Sequence, residues 1–235
     1  MGLIARYILI IFYVLYAHVG ISQNNVQKIK DAFNARGYQI AINEVNYVSK
    51  TEANYDSLLF LKAYSQIKLE QFKEATITIN ELQKLNTNYY ELYFLKGLVF
   101  AKKEKYPDAI LNFNKVLDVN PNHEKALYNM ALAKGLLEDY SNAIKDLDKC
   151  ITLNPNYTIA FYNRGYWYEV LEKYDRAIAD YKQAISLDKK YAEAYLALAF
   201  AYSQSGDITN ACETLNTAIN EGVDAASDLK QNFCK

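Results

Sequence analysis

Residues able to carry chemistry are few in this sequence and widely separated. It contains two histidines, His18 and His123. His18 lies in an apolar N-terminal stretch, and His123 follows Pro121-Asn122 in a turn. A lone loop histidine makes neither a metal site nor a nucleophile–base pair, and no Cys/His cluster has ligand spacing. The glycines are single and dispersed, so no glycine-rich loop cradles a phosphate. Carboxylates such as Glu169, Glu172, Asp175 and Asp180 read as parts of solvated helix faces. The sequence therefore predicts no enzyme, no cofactor and no metal. With 26 basic and 27 acidic side chains the formal net charge is −1, and the signs are mixed along the chain. A nucleic-acid groove needs a basic excess to release counterions from phosphates, so DNA and RNA are not expected partners.

What the chain does have is a repeat. Ala41, Ala75, Ala109, Ala143, Ala177 and Ala211 recur at one constant interval, without insertion or deletion. Apolar residues precede each by three positions: Tyr38, Phe72, Tyr106, Tyr140, Tyr174 and Ile208. Others follow by four (Val45, Ile79, Phe113, Leu147, Tyr181, Leu215) and by seven (Val48, Leu82, Val116, Cys150, Ala184, Ala218). This spacing marks one face of a helix. A second small-residue column, Ala63, Gly97, Ala131, Gly165 and Ala199, lies on the preceding helix. Each member follows a large apolar residue by four: Leu59, Tyr93, Leu127, Phe161 and Tyr195. Two small columns let paired helices approach closely. Six units start near Ser22, Asp56, Tyr90, Glu124, Thr158 and Ala192, and a period of 34 is that of a helix–turn–helix solenoid.

These residues resemble the tetratricopeptide repeat family. The unit FYNRGYWYEVLEKYDRAIADYKQAISLD, read from Phe161, places Gly165, Tyr168, Tyr174, Ala177, Tyr181 and Ala184 at the family's pattern positions. Pro121 and Pro155 match its closing proline, Thr87 and Lys189 replace that proline, and Gln66 and Lys134 replace the tyrosine. The resemblance implies an all-α fold: a right-handed α-solenoid of six 34-residue repeats over residues 23–225, plus a C-terminal capping helix. That helix is expected at about 224–235, with Ala225, Leu229 and Phe233 at four-residue spacing. The polar stretch Ser22–Lys30, with only Val26 and Ile29 apolar, reads as the opposite cap. Stability then rests on nearest-neighbour interfaces.

In this family the first helix of each unit lines a concave groove. The first groove column here is Phe60, Phe94, Tyr128, Tyr162 and Leu196. One turn further comes Tyr64, Leu98, Leu132, Tyr166 and Phe200, where the family usually carries a polar residue. Asn129 and Asn163, with Lys125 nearby, are placed to hold a peptide backbone. The family's carboxylate clamp does not assemble, because Phe94, Leu98, Ile159 and Asn163 stand where its charged and amide groups belong. The expected function is a non-enzymatic protein–protein scaffold or adaptor in the cell envelope, binding a peptide or helix segment of another protein in an apolar, tyrosine-rich groove. The alternative is a structural or self-assembling envelope component that uses convex faces or stack ends.

Residues 1–22 precede the repeats. Arg6, the mostly apolar run Tyr7–Val19, and Gly20-Ile21-Ser22 read as a signal peptide cleaved before Gln23. Export to the periplasm or medium follows as an expectation, and an uncleaved N-terminal membrane anchor facing the periplasm is the alternative. Cys150 occupies a small core column and reads as a buried thiol. Cys212 and Cys234 are nearly equidistant from the turn at Gly222-Val223 and so lie side by side in an antiparallel hairpin. In an oxidising compartment they are expected to form a disulfide, which would stabilise by about 3 kcal/mol; the alternative is two free thiols. The tail also resembles the closing segment of exported bacterial repeat proteins.

Overall fold

The computed structural model describes residues 25–86 and 89–234, so the segment read as a signal peptide, and Thr87, lie outside the described residues. The described residues form helices throughout. These are α1 (25–34), α2 (Tyr38–Val45), α3 (Tyr55–Lys68), α4 (Phe72–Leu85), α5 (Glu91–Lys102), α6 (Tyr106–Val119) and α7 (Glu124–Leu136). They continue as α8 (Tyr140–Leu153), α9 (Thr158–Val170), α10 (Tyr174–Leu187), α11 (Ala192–Gln204), α12 (Ile208–Asn220) and α13 (Ala225–Phe233). The chain divides into two compact units, 1–104 and 105–235, and the boundary falls between α5 and α6.

The turn inside each helix pair has one form. Arg36, Glu70, Glu104, Glu138, Glu172 and Gly206 all adopt left-handed backbone, and they recur at the same interval as the alanines. The following amide donates back over the turn: Gln71 N to Gln66 O at 2.8 Å, Asp139 N to Lys134 O at 3.0 Å, Lys173 N to Tyr168 O at 2.8 Å and Asp207 N to Tyr202 O at 2.9 Å. This bond satisfies a carbonyl that the ending helix leaves open. The second helix of a pair ends at Asn86, Asn120, Asn154 or Asp188, whose amide donates to the carbonyl four residues back. The side chains of Asn120, Asn154 and Asp188 then accept from the backbone two residues on, at 3.2, 3.1 and 2.9 Å. Asp188-Lys189 therefore turns as Asn120-Pro121 and Asn154-Pro155 do, and the missing proline leaves the connection intact.

Both small columns are buried along the chain, and all six period-defining alanines are in the core. The glycines show why size matters. A Cβ on Gly165 would lie 2.8 Å from Tyr181 Cε1, and one on Gly135 would lie 2.2 Å from Trp167 Cζ2.

In the first unit, Ile29 of α1, Val45 and Leu58 form one small core, with Val26 packed against it. A larger core joins α3, α4 and α5 through Leu59, Ile79, Leu82, Leu92 and Leu95. In the second unit each helix packs on its successor from α6 to α13, and α9 also touches both α7 and α11. At the C-terminus the inward residue of α13 is Ala226, while Ala225 is exposed. Ala226 stands one full repeat period after Ala192, so α13 keeps the repeat register as a shortened first helix. Leu229 is partly buried against the same core; the side chain of Phe233 lies outside the described residues.

Candidate protein-docking surface

The two predicted groove columns sit on the first helices of successive pairs. In the first unit Phe60 and Tyr64 are partly buried and engaged with other rings. Their centroids are 6.3 Å apart, Tyr64 lies 5.4 Å from Phe33 of α1, and Lys68 stands over the Tyr64 ring. Leu98 is half-buried. Phe94 departs from the expectation: it is 2% exposed and belongs to the interior. The cause is local, because α5 is apolar around most of its circumference and also buries Leu92, Leu95, Gly97 and Val99. A cleft of about 300 Å³ opens beside Phe60, lined by Phe33, Leu58, Leu61 and Tyr89, with Lys30, Asn34 and Ser57 also in its wall.

The second unit presents its columns differently. Tyr128, Tyr162 and Leu196 are half-buried, as is Leu132. Tyr166 and Phe200, by contrast, are 41% and 43% exposed. Ile159 and Val170, also on α9, are exposed as well, as is Leu136 on α7. Because α7 touches α9 and α9 touches α11, Leu132, Tyr166 and Phe200 occupy equivalent positions on three adjoining helices.

A further aromatic column went unread in the sequence. Tyr89, Tyr157 and Tyr191 each precede a first helix in the repeat register, with His123 in the same column. Each tyrosine packs its ring on the first-column residue of the preceding unit: Tyr89 on Phe60 at 6.3 Å, Tyr157 on Tyr128 at 5.2 Å and Tyr191 on Tyr162 at 5.1 Å. The first column is thereby largely satisfied within the fold, while in the second unit Tyr166 and Phe200 of the second column face solvent. Burial pushes the hydroxyls of Tyr89 and Tyr128 up to about 12, and raises those of Tyr162 and Tyr191, so these rings stay neutral. The signal was the constant repeat spacing, visible once the loop positions are aligned as well as the helices. His123 has a structural role in that column: its Nδ1 accepts from Ala126 N at 3.0 Å and caps α7.

The polar residues of the surface are partly committed. Asn163 Nδ2 donates to Tyr128 Oη at 3.0 Å and to Ile159 O at 2.9 Å, which ties α9 to α7. Asn129 Nδ2 donates to Lys125 O at 2.7 Å. The expected grip of Asn163 on a peptide is corrected accordingly: both amide hydrogens are used inside the fold, and Oδ1 remains as an acceptor. Lys125 is exposed at the start of α7.

Beneath the surface lies a charged layer that corrects the reading of Asp180 and Glu169 as solvated. Asp180 is 5% exposed and accepts from Arg164 Nε at 2.8 Å and Nη2 at 2.6 Å. Arg164 Nη1 also reaches Asp148 Oδ1 at 2.7 Å. Burial opposes the Arg164 charge, but the hydrogen bonds and charges of Asp180 and Asp148 outweigh it and hold the guanidinium protonated. One unit earlier Lys134 Nζ pairs with Asp146 Oδ2 at 2.5 Å, so the lysine that replaces the family tyrosine has a partner in the column of Asp180. Glu169 is half-buried and accepts from Tyr181 Oη at 2.9 Å; burial raises its pKa although that hydrogen bond opposes the rise. The sequence signal for these groups was a polar residue in the same helical position of successive units: Thr78, Asn112, Asp146 and Asp180, all buried.

Cys150 is buried, its Sγ 3.8 Å from Glu124 O, and burial pushes its thiol up to about 12. Cys212 and Cys234 lie at disulfide-bonding distance, with S–S 2.07 Å and Cα–Cα 5.8 Å. Among the described residues no group of three or more His, Cys, Asp or Glu is arranged to hold a metal, and no helix is long and apolar enough to cross a membrane.

Comparison with known proteins agrees with this geometry. Residues 90–123, 124–157 and 193–221 match family models described as tetratricopeptide repeats, and residues 171–206 match one described as a TPR repeat. Together they span about half of the chain. No curated protein matches the sequence. Among solved structures, MamA is similar at 23% identity and a TM-score of 0.63, over 70% of this chain and 96% of MamA. YrrB, described as "a TPR protein with an unusual peptide-binding site", is similar at 22% identity and a TM-score of 0.62, over 74% and 91% of the two chains. A tetratricopeptide repeat protein from Parabacteroides merdae is 19% identical with a TM-score of 0.63, over 85% and 79%. Those identities speak to the fold; the fold, its recurring turns and the matched repeats together show that the chain belongs to the tetratricopeptide repeat family.

Proposed function

We propose that this protein is a non-enzymatic scaffold that binds an apolar segment of another protein across α7, α9 and α11. The observation that carries the reading is the solvent-facing second column of the second unit, where Tyr166 and Phe200 are exposed beside half-buried Leu132. A column with no core to fill and no polar residue has an unfavourable surface to cover, and rigid aromatic side chains cover it at low entropic cost. An amphipathic helix or an extended segment can each place apolar side chains on such a row. The peptide-binding site named for YrrB concerns the same class of ligand on a similar fold. We place the scaffold in the cell envelope or outside it; the apolar N-terminal run and the paired positions of Cys212 and Cys234 support that location.

The test is a photo-crosslinking residue at Tyr166, compared with one at Leu111, an exposed apolar position on α6. The partner captured at Tyr166 should lose affinity at least about tenfold for the Leu132→Ser/Tyr166→Ser/Phe200→Ser variant, the cost of truncating central apolar contacts. Equal crosslinking at both positions, or unchanged affinity in a folded variant, sinks the docking surface. Fractionation of the native host tests the location separately.

A further inference from the structure

We infer that the first unit carries a second docking site, chemically unlike the apolar row on α7, α9 and α11. Its partner is an acidic protein segment anchored by one aromatic side chain. The anchor enters the cleft of about 300 Å³ between α1 and α3. The rings around this cleft hold one another. Phe33 packs on Tyr64 at 5.4 Å, Tyr64 on Phe60 at 6.3 Å, and Phe60 on Tyr89 at 6.3 Å. Leu58 and Leu61 complete the apolar lining. Walls fixed in this way spare an incoming group the cost of ordering them. The volume stands at the lower limit for ligand cavities, so it suits one large side chain rather than a cofactor.

The charge around the cleft has one sign. Among the described residues lining it, Lys30 is the one charged side chain. Lys30 stands one repeat period before Tyr64 and so holds the second-column position on α1. Lys68 and Lys102 stand one period apart on the adjoining helices α3 and α5, and Lys68 lies over the Tyr64 ring. All three lysines are exposed, and among the described residues no carboxylate pairs with any of them. The nearby carboxylates face amides instead: Asp31 accepts from Gln27 Nε2 at 2.8 Å, and Asp56 from Asn86 Nδ2 at 3.2 Å. In the second unit the position of Lys68 and Lys102 is held by Leu136 and Val170. One helical position is thus cationic in the first unit and apolar in the second. Carboxylates on either side of a seated aromatic ring complement the three ammonium groups. A nucleic acid fits this surface less well. Base stacking needs open ring faces, whereas these rings pack on each other around a pocket.

The experiment titrates the full chain into a labelled, capped peptide of one tryptophan flanked by two glutamates on each side, read by fluorescence anisotropy. Matched peptides carry alanine for the tryptophan or lysines for the glutamates, and an oligothymidylate is the remaining probe. The parent peptide should bind. Lys30→Gln/Lys68→Gln/Lys102→Gln should weaken it about tenfold, the sum of three exposed charge contacts. Salt at about 0.5 M should weaken binding to the natural protein and change little in that variant. Asn34→Trp, which fills the cleft from an exposed position, should reduce binding to that of the alanine peptide. The Leu132→Ser/Tyr166→Ser/Phe200→Ser variant should bind the parent peptide unchanged, so the two docking sites stand or fall separately. Five outcomes would each overturn the proposal: no binding of the parent peptide, equal binding of the alanine or lysine peptide, tighter binding of the oligothymidylate, undiminished affinity in the folded lysine variant, or loss of binding when the α7–α9–α11 row is stripped.

Discussion

Gly135 and Trp167 leave no room for a methyl group, which reverses an ordinary rule. In an exposed helix interior Gly→Ala stabilises by about 1 kcal/mol. Here the added Cβ would sit 2.2 Å from the indole, so Gly135→Ala should lower the unfolding free energy, by about 1–3 kcal/mol for an overpacked core. Urea melts of the two proteins decide the sign. The left-handed turns give the opposite case. Glu138 occupies a backbone region that costs a side-chain-bearing residue about 1 kcal/mol, so Glu138→Gly should stabilise by about that amount in the same assay. Arg164 is the residue whose loss should cost most among the polar ones. Arg164→Ala strands Asp180 in the interior, an expected loss of about 3 kcal/mol, whereas Asp148 is exposed enough to recover water. None of these three effects was legible in the composition. The small columns were, but which large side chain fills each notch depends on the neighbouring helix, and a charge at the Asp180 position reads as surface until its guanidinium partner is placed.

At the scale of helices and turns, the repeat was fully visible and its consequences only partly so. Periodic alanines identified every second helix because a single apolar stripe has one interpretation at that spacing. The first helices were harder. They are apolar on more than one side, so the same pattern served Phe94, which is buried, and Tyr166, which is exposed. The decision was made by the loops: Tyr157 and Tyr191 cover the first column and leave the second uncovered. Tyr191→Ala should therefore destabilise the second unit and at the same time raise the exposure of Tyr162, measurable as increased quenching of tyrosine fluorescence. Glu169 gives this region a pH response. Its folded pKa is raised by burial, so its contribution is fully present below the ordinary carboxylate range and is lost as pH rises through the raised value. Denaturation midpoints taken from pH 4 to pH 7 should fall more for the natural protein than for Glu169→Gln, and parallel curves would contradict the burial argument.

Over the whole molecule, stability is carried by neighbour-to-neighbour interfaces rather than by one core. A local insult is then felt most where two neighbours depend on it. Ala177 and Ala211 are equivalent by register and both buried, yet Ala177 lies in α10, between α9 and α11, while Ala211 lies in α12 near the chain end. Leucine at Ala177 should broaden the unfolding transition of the second unit, whereas leucine at Ala211 should mainly loosen α12 and α13. Hydrogen exchange resolved by helix distinguishes the two.

Cys150 makes such local openings countable in the natural chain. Its thiol is sealed beneath the backbone of Glu124 and its proton is held up to about 12, so a soluble alkylating reagent reacts only in molecules where α7 and α8 have parted. With Cys212 and Cys234 paired, the rate of labelling is a stopwatch for one repeat, read without introducing any foreign probe.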